Sequence, residues 1–291
     1  MSEGISPLVA LSNGVAAAVE HAGRSIVAVH ARHRLPSSGI HWRPGLIVTA
    51  DHSVKREEEI TVTLPGGGTV PAALAARDPA TDIAVLRIEG DLPVVVVAPE
   101  DALRVGHLAI AVGRGESGAT ASLGIVSALG GAWRTWRGGI VDRFVRLDLT
   151  LYPGSSGGAL IDTAGQVLGM NTSALTRGVD VAIPSATVTR IVDELLTRGR
   201  VARGYLGVGL QPVRAGDRRG VIVLSVEPEG PAAQAGFLVG DILTALDGSP
   251  VRDTDEVQTA LRPENVGRRL LASVLRGGAS VELWITVGER P

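Results

Sequence analysis

Over its first 183 residues the chain is a succession of short apolar, often β-branched runs cut by Gly, Pro and Asp. The runs occupy residues 25–30, 45–49, 60–64, 82–88, 107–112, 123–128, 144–149, 166–170 and 180–183. Stretches of this length between turn formers read as strands. Gly66–Gly67–Gly68 supplies the positive φ that a hairpin turn needs. About ten strands with few intervening helices predict an antiparallel barrel or sandwich, because a parallel α/β sheet requires a helix after nearly every strand.

The period then changes. Val188, Ile191, Val192, Leu195 and Leu196 fall on one face of a helix over residues 185–198. Ser185 reads as its N-cap after Pro184 and Gly199 as its C′ stop. The helix is expected to connect two domains, as suits a chain of 291 residues. Beyond it, strand-like runs at residues 207–211, 221–226, 242–246, 270–275 and 281–287 are interrupted by short helical stretches at 231–235 and 254–261. That pattern predicts a small α+β binding module.

Composition excludes several function classes. A formal net charge of −2 gives no basic field for nucleic acid or an anionic membrane. The longest apolar run, Val94 to Ala98, is far short of the ~20 residues that span a bilayer. With no cysteine there is no disulfide framework and no thiolate nucleophile. The first residues lack a basic segment before their apolar stretch, and Asn13 and Gly14 interrupt it, so they read as a poor signal peptide.

The chemistry must therefore be sought among Ser, His and acids. Gly154–Ser155–Ser156–Gly157–Gly158 lies between two expected strands. It is either a flexible loop or a tight turn that aims successive N–H groups at one point, the geometry of an oxyanion hole. His52 ends an apolar strand and Asp82 opens another. Each alone is as readily a solvated strand terminus. Together, the order His52, Asp82, Ser156 is that of the chymotrypsin-type triad, and not of subtilisins or α/β-hydrolases. Gly113-Arg114-Gly115-Glu116-Ser117-Gly118 satisfies a dinucleotide fingerprint, but residues 119–128 are strand-like where a helix is required. His30 and His33 lack the helix and acids of a metal site; no metal and no cofactor are expected.

Several motifs in register resemble the HtrA/Deg family of serine proteases, from about residue 23 to the end of the chain. Thr49-Ala50-Asp51-His52-Ser53-Val54 resembles the family's histidine motif, and Thr81-Asp82-Ile83-Ala84-Val85-Leu86 its aspartate motif. Gly154-Ser155-Ser156-Gly157-Gly158-Ala159 resembles its nucleophile motif, with Asp148 upstream. Gly124-Ile125-Val126-Ser127-Ala128-Leu129 and Ala182-Ile183-Pro184 complete the set. In the C-terminal part, Arg203-Gly204-Tyr205-Leu206-Gly207-Val208, Pro231-Ala232-Ala233-Gln234-Ala235-Gly236 and Gly240-Asp241-Ile242-Leu243 resemble a PDZ domain.

The resemblance implies a mainly β chain: a chymotrypsin-like double β-barrel at residues 1–190, a linker at 191–203 and an α+β PDZ domain at 204–291. It implies an ATP-independent serine endopeptidase acting on unfolded or tagged proteins. Ser156 would be the nucleophile, His52 the base and Asp82 its orienting acid. Gly154, Ser155 and Ser156 would form the oxyanion hole. Thr150 stands where trypsin-like enzymes carry an aspartate, and with Val181 and Ile183 it would shape an apolar S1 pocket. Tyr205, Leu206, Gly207 and Val208 would bind a peptide, the N–H groups of the last three holding its terminal carboxylate, with Val257 and Leu261 on the opposite wall. Asp241 reads as a turn acid.

Expected partners are unfolded or C-terminally exposed polypeptides, with no nucleic acid and no membrane span. The family forms trimers pinned by N-terminal aromatics; no aromatic here precedes Trp42, so a homo-oligomer is expected without that device. The family is exported or membrane-anchored, which implies a periplasmic or extracytoplasmic place, and a cytoplasmic one if the sequence is complete as given. Ala159 and Ser155 replace the family's proline and asparagine, and the loops after Gly113 and Thr172 lack its usual residues. The competing expectation is a chaperone or peptide-binding protein whose protease domain rests inactive.

Overall fold

The computed structural model describes residues 6–99, 101, 103–176, 178–215 and 218–289. The chain divides into two compact units, Met1–Arg200 and Val201–Pro291.

The first unit holds two closed six-stranded antiparallel barrels. Barrel one consists of β1 (Ile26–His30), β2 (Ser37–Arg43), β3 (Leu46–Ala50), β4 (Ile60–Thr63), β5 (Thr69–Asp78) and β6 (Ile83–Ile88), in the order β1-β2-β3-β6-β5-β4. Barrel two uses β7 (Leu108–Gly115), β8 (Gly118–Leu129), β11 (Val145–Asp148), β12 (Ala159–Ile161), β13 (Val167–Thr172) and β14 (Val181–Pro184). Its order is β11-β14-β13-β12-β7-β8. A hairpin of β9 (Trp133–Arg134) and β10 (Ile140–Val141) projects between β8 and β11.

Side chains alternate inward along each strand. Val27, Val29, Ile47, Val62, Ala84 and Leu86 fill the first barrel, and Ala109, Val126, Val145, Leu160 and Ala182 the second. Their neighbours Ile26, Val48, Ile83 and Ile183 are equally buried on the opposite faces. The strands therefore read as unbroken apolar runs rather than as alternating ones. The Gly-rich run does turn a hairpin: Gly67 has φ +97°, and Thr63 pairs with Thr69. Gly113 to Gly118 is the β7–β8 hairpin, with strand on both sides as expected.

Three of the barrel strands lie outside the expected runs. β2 is disguised by its serines, β5 is mostly alanine and proline, and β12 has only three residues. α1 (Pro7–Gly23), whose Asn13 and Gly14 argue against a helix, lies outside those runs as well. Pro at its first turn presets φ, and small Ala18, Ala22 and Gly23 let it lie close to barrel two.

The expected helix forms as α2 (Ser185–Arg198), and Gly199 ends it at φ +72°. Ser185 does not cap it: Pro184 holds the N-cap position, and the Ser185 hydroxyl donates to the Val167 carbonyl at 3.0 Å. Val188, Ile191, Val192 and Leu195 are buried against β5, β6, β13 and β14, so the helix is part of the first unit. The division falls after it, at Arg200.

The second unit is a sheet of order β16-β17-β18-β20-β21, formed by β16 (Val208–Ala215), β17 (Arg218–Val226), β18 (Ile242–Leu246), β20 (Arg269–Arg276) and β21 (Ala279–Thr286). β19 (Ser249–Pro250) joins β18, while β15 (Gly204–Tyr205) pairs with β22 (Gly288–Glu289). Two helices, α3 (Pro231–Gln234) and α4 (Thr254–Ala260), cover the core of Leu206, Val223, Phe237, Leu243, Val257, Leu261 and Ile285. Asp241 is a turn acid, closing the turn from Leu238. It is buried, bonded by both oxygens to Arg276 at 2.8 Å, and accepts the Leu238 N–H.

Candidate active site

β3 ends at Ala50 and the chain enters a short 3-10 turn, Asp51–Ser53, that carries His52. Asp82 stands just before β6 in a left-handed conformation, φ +60°. That conformation is rare for a residue with a side chain. It is held by the Asp51 N–H, which donates to the Asp82 carbonyl at 3.1 Å. The Asp82 carboxylate, almost wholly buried, lies 2.9 and 3.0 Å from His52 Nδ1. It also accepts the His52 backbone N–H at 2.8 Å and the hydroxyl of Thr172 at the end of β13. A carboxylate with that many donors fixes the ring's orientation and leaves Nε2 as the acceptor nitrogen.

A second clamp acts on the other side of the turn. Arg77 on β5 donates from Nε to buried Asp51 at 2.5 Å and from Nη2 to the Val54 carbonyl at 3.1 Å. Asp51 and Glu57 raise the guanidinium pKa above its ordinary value, the hydrogen bond to Asp51 most of all.

The Gly154–Gly158 loop is built on a tight turn. The Ser155 N–H donates to the Tyr152 carbonyl at 2.9 Å, with Pro153 and Gly154 between them. Gly154 has φ +93°, the type II arrangement in which proline precedes a positive-φ glycine. Among the described residues the N–H groups of Gly154 and Ser156 donate to no protein acceptor. The loop is tied to barrel one through Ser38. Its N–H donates to the Ser156 carbonyl at 3.1 Å, its hydroxyl to the Gly154 carbonyl at 2.8 Å, and that hydroxyl accepts the Arg114 N–H at 2.9 Å. Gly157, at φ +84°, lets the loop approach closely: a Cβ there would lie 2.3 Å from the Ser38 carbonyl oxygen.

His52 and Ser156 line one open cavity of about 530 Å³, with Leu151, Tyr152, Pro153, Gly154, Ser173 and the loop from Arg32 to Leu35. A larger cavity of about 660 Å³ beside α2 contains none of these groups. The Ser156 hydroxyl is bonded to Ser173 Oγ at 3.2 Å rather than to the imidazole. Thr150, Val181 and Ile183 do not line this cavity. Thr150 is exposed, its N–H bonded to Ser122, and Val181 and Ile183 are buried on β14. Sequence reasoning missed Thr172, Ser38, Ser173 and Arg77, whose partners are all distant in the chain and which no local pattern marks.

In the second unit β16 is an edge strand, paired only with β17. Gly207 has φ +74°, and the N–H groups of Leu206 and Gly207 donate to no protein acceptor among the described residues. Val257 on α4 and Leu261 just after it are buried with Leu206, whereas the Tyr205 hydroxyl donates to Glu227.

Residues 37–170 match the family model of a trypsin-like peptidase domain, and residues 204–287 that of a PDZ domain. The chain is thus a trypsin-like peptidase domain followed by a PDZ domain. It is 34% identical over 264 residues to a probable periplasmic DegP-like serine endoprotease of Brucella suis, covering 85% of this chain and 51% of the relative. The like-named Chlamydia pneumoniae protein is 35% identical over 262 residues, covering 85% and 53%. The chain therefore spans about half the length of these relatives. Among solved structures, the serine endoprotease from Yersinia pestis superposes with a TM-score of 0.79 at 32% identity, covering 94% of this chain and 97% of that one. The HtrA-type protease AlgW with a decapeptide gives 0.81 at 27%, covering 95% and 99%. The chain belongs to the HtrA/DegP-like family of serine endoproteases. Its two barrels and its PDZ-type sheet are the fold the motifs implied. Among the described residues no helix is long and apolar enough to cross a membrane.

Proposed function

We propose that the chain is an ATP-independent serine endopeptidase that cuts unfolded or C-terminally tagged polypeptides. The observation that carries this reading is the His52–Asp82 pair sharing one cavity with Ser156. Ser156 Oγ bonds to the scissile carbonyl carbon while His52 Nε2 takes its proton. The C–N bond then breaks, and the amine leaves with that proton. A water repeats the sequence, its oxygen displacing Ser156 and releasing the acid. The N–H groups of Gly154 and Ser156, with the loop held by Ser155, stabilise the oxyanion.

With threonine at position 150, no acid is present there to attract a basic P1 residue. The PDZ domain takes a peptide as an added strand along β16, its carboxylate on the N–H groups of Leu206, Gly207 and Val208, against the Val257 and Leu261 wall. Tyr205 flanks that loop. The relatives' names point to a periplasmic or extracytoplasmic location and the family to a homo-oligomer.

A second reading has its own observation. The Ser156 hydroxyl bonded to Ser173 fits a resting protease domain, and the chain would then act chiefly as a chaperone or peptide-binding protein. Fluorophosphonate labelling and casein cleavage, with Ser156→Ala as control, separate the two. The endopeptidase labels and cleaves, and the control loses about 10⁶-fold in kcat. No labelling and no cleavage, even with C-terminal peptides added, overturns the enzyme reading.

A further inference from the structure

The β1–β2 loop is a wall of the catalytic cavity that the triad does not use. Arg32, His33, Arg34 and Leu35 line the same space as His52 and Ser156, and none of its described lining residues is Asp or Glu. The loop is held in shape. Arg32 Nε donates to the Leu35 carbonyl at 2.8 Å and Nη2 to that of Pro36 at 3.3 Å, and the Leu35 N–H donates to the His33 carbonyl at 3.2 Å. Arg34 stands at the turn with φ +75°. It is exposed and makes no ion pair among the described residues.

Which half of a substrate meets this loop is set by the chemistry. The leaving amine takes its proton from His52, so it must depart across barrel one, the barrel that carries both His52 and the loop. The acyl half is left the barrel-two wall, where Ser173, just past β13, meets the Ser156 hydroxyl. We propose that Arg32 and Arg34, with His33 between them, form a subsite for acidic residues in the first few positions after the scissile bond. This deepens the endopeptidase reading and rests on it.

The test uses the whole chain and internally quenched peptides with one acyl half and leaving halves differing only in Asp/Glu, Ala or Lys at the first three positions. We expect kcat/KM for the acidic peptide to exceed that for the lysine peptide by at least about threefold at low ionic strength, and the ratio to fall as salt is raised. The ratio is expected to collapse toward one in Arg34→Gly, which suits the positive φ, and to reverse in Arg34→Glu. Equal rates for all peptides in the wild type, or a ratio that survives both substitutions and salt, overturns the subsite while leaving the protease intact. Cleavage of none of the peptides, neutral ones included, overturns the endopeptidase reading and the subsite together.

Discussion

The hydroxyl of Ser38 donates to the carbonyl of Gly154 at 2.8 Å, joining two residues 116 positions apart. Because the Ser38 N–H also holds the Ser156 carbonyl, one residue of barrel one sets the direction of two peptide units around Ser156. Ser38→Ala keeps the N–H bond and removes the other. It should lower kcat about tenfold with little change in KM, the effect of one hydrogen bond acting on the oxyanion loop. Ser38→Thr, which restores a hydroxyl, should recover part of the rate. Steady-state kinetics of the two variants check this.

Gly157→Ala meets both a positive φ and a backbone oxygen 2.3 Å away. The loop cannot retreat without breaking the Ser38 bonds. The substitution should cost more than ~2 kcal/mol in stability or abolish activity in a folded protein. Urea unfolding beside an activity assay distinguishes these outcomes, and wild-type values in both would overturn the prediction.

Arg77→Met would leave Asp51 buried without its cation. We expect roughly 2–3 kcal/mol of destabilisation, less than for a fully enclosed pair because Arg77 is partly exposed. Adding Asp51→Asn should recover some of it. Thermal melts of the single and double variants form the cycle that tests the coupling.

The PDZ-domain pair Asp241–Arg276 predicts an acid response. The hydrogen bonds from Arg276 hold the Asp241 carboxyl below its ordinary pKa, despite burial. A carboxylate with a depressed folded pKa stabilises fully above the unfolded pKa, and that stability is lost as pH falls through the folded value. Stability should therefore decline below the usual carboxylate range. Asp241→Asn should be less stable than wild type at neutral pH, and the gap should narrow in acid. Melts from neutral pH down to about pH 3 read this out.

Thr172→Val removes a donor from Asp82 without changing the side chain's shape. The carboxylate then fixes His52 less firmly, and kcat should fall about tenfold while the fold persists. Unchanged kcat in a folded variant would show that the backbone N–H of His52 is a sufficient anchor.

Much of this was legible in the residues because the information is local. Strand runs, the α2 periodicity and the order of His52, Asp82 and Ser156 each lie in a few consecutive positions. α1, β2 and β5 were not legible. Their stability comes from the barrel surfaces they pair with or lie on, which override weak local propensity. The N-cap assigned to Ser185 failed for the same reason: a buried carbonyl on β13 competed for its hydroxyl.

The sequence by itself determined the strand-rich class and the chymotrypsin order of His52, Asp82 and Ser156 and, with no cysteine, excluded a thiolate nucleophile. Tertiary structure alone decided what each group touches: Thr172 on Asp82, Ser38 on Gly154, Ser173 on Ser156 and the arginine loop in the cavity of Ser156. Those contacts join separate strands and loops, two of them hydroxyl to side chain and one hydroxyl to backbone carbonyl, each with its partner atom well removed along the chain. Such a pairing leaves no mark in a sequence; only closing the two barrels brings its atoms within hydrogen-bonding reach.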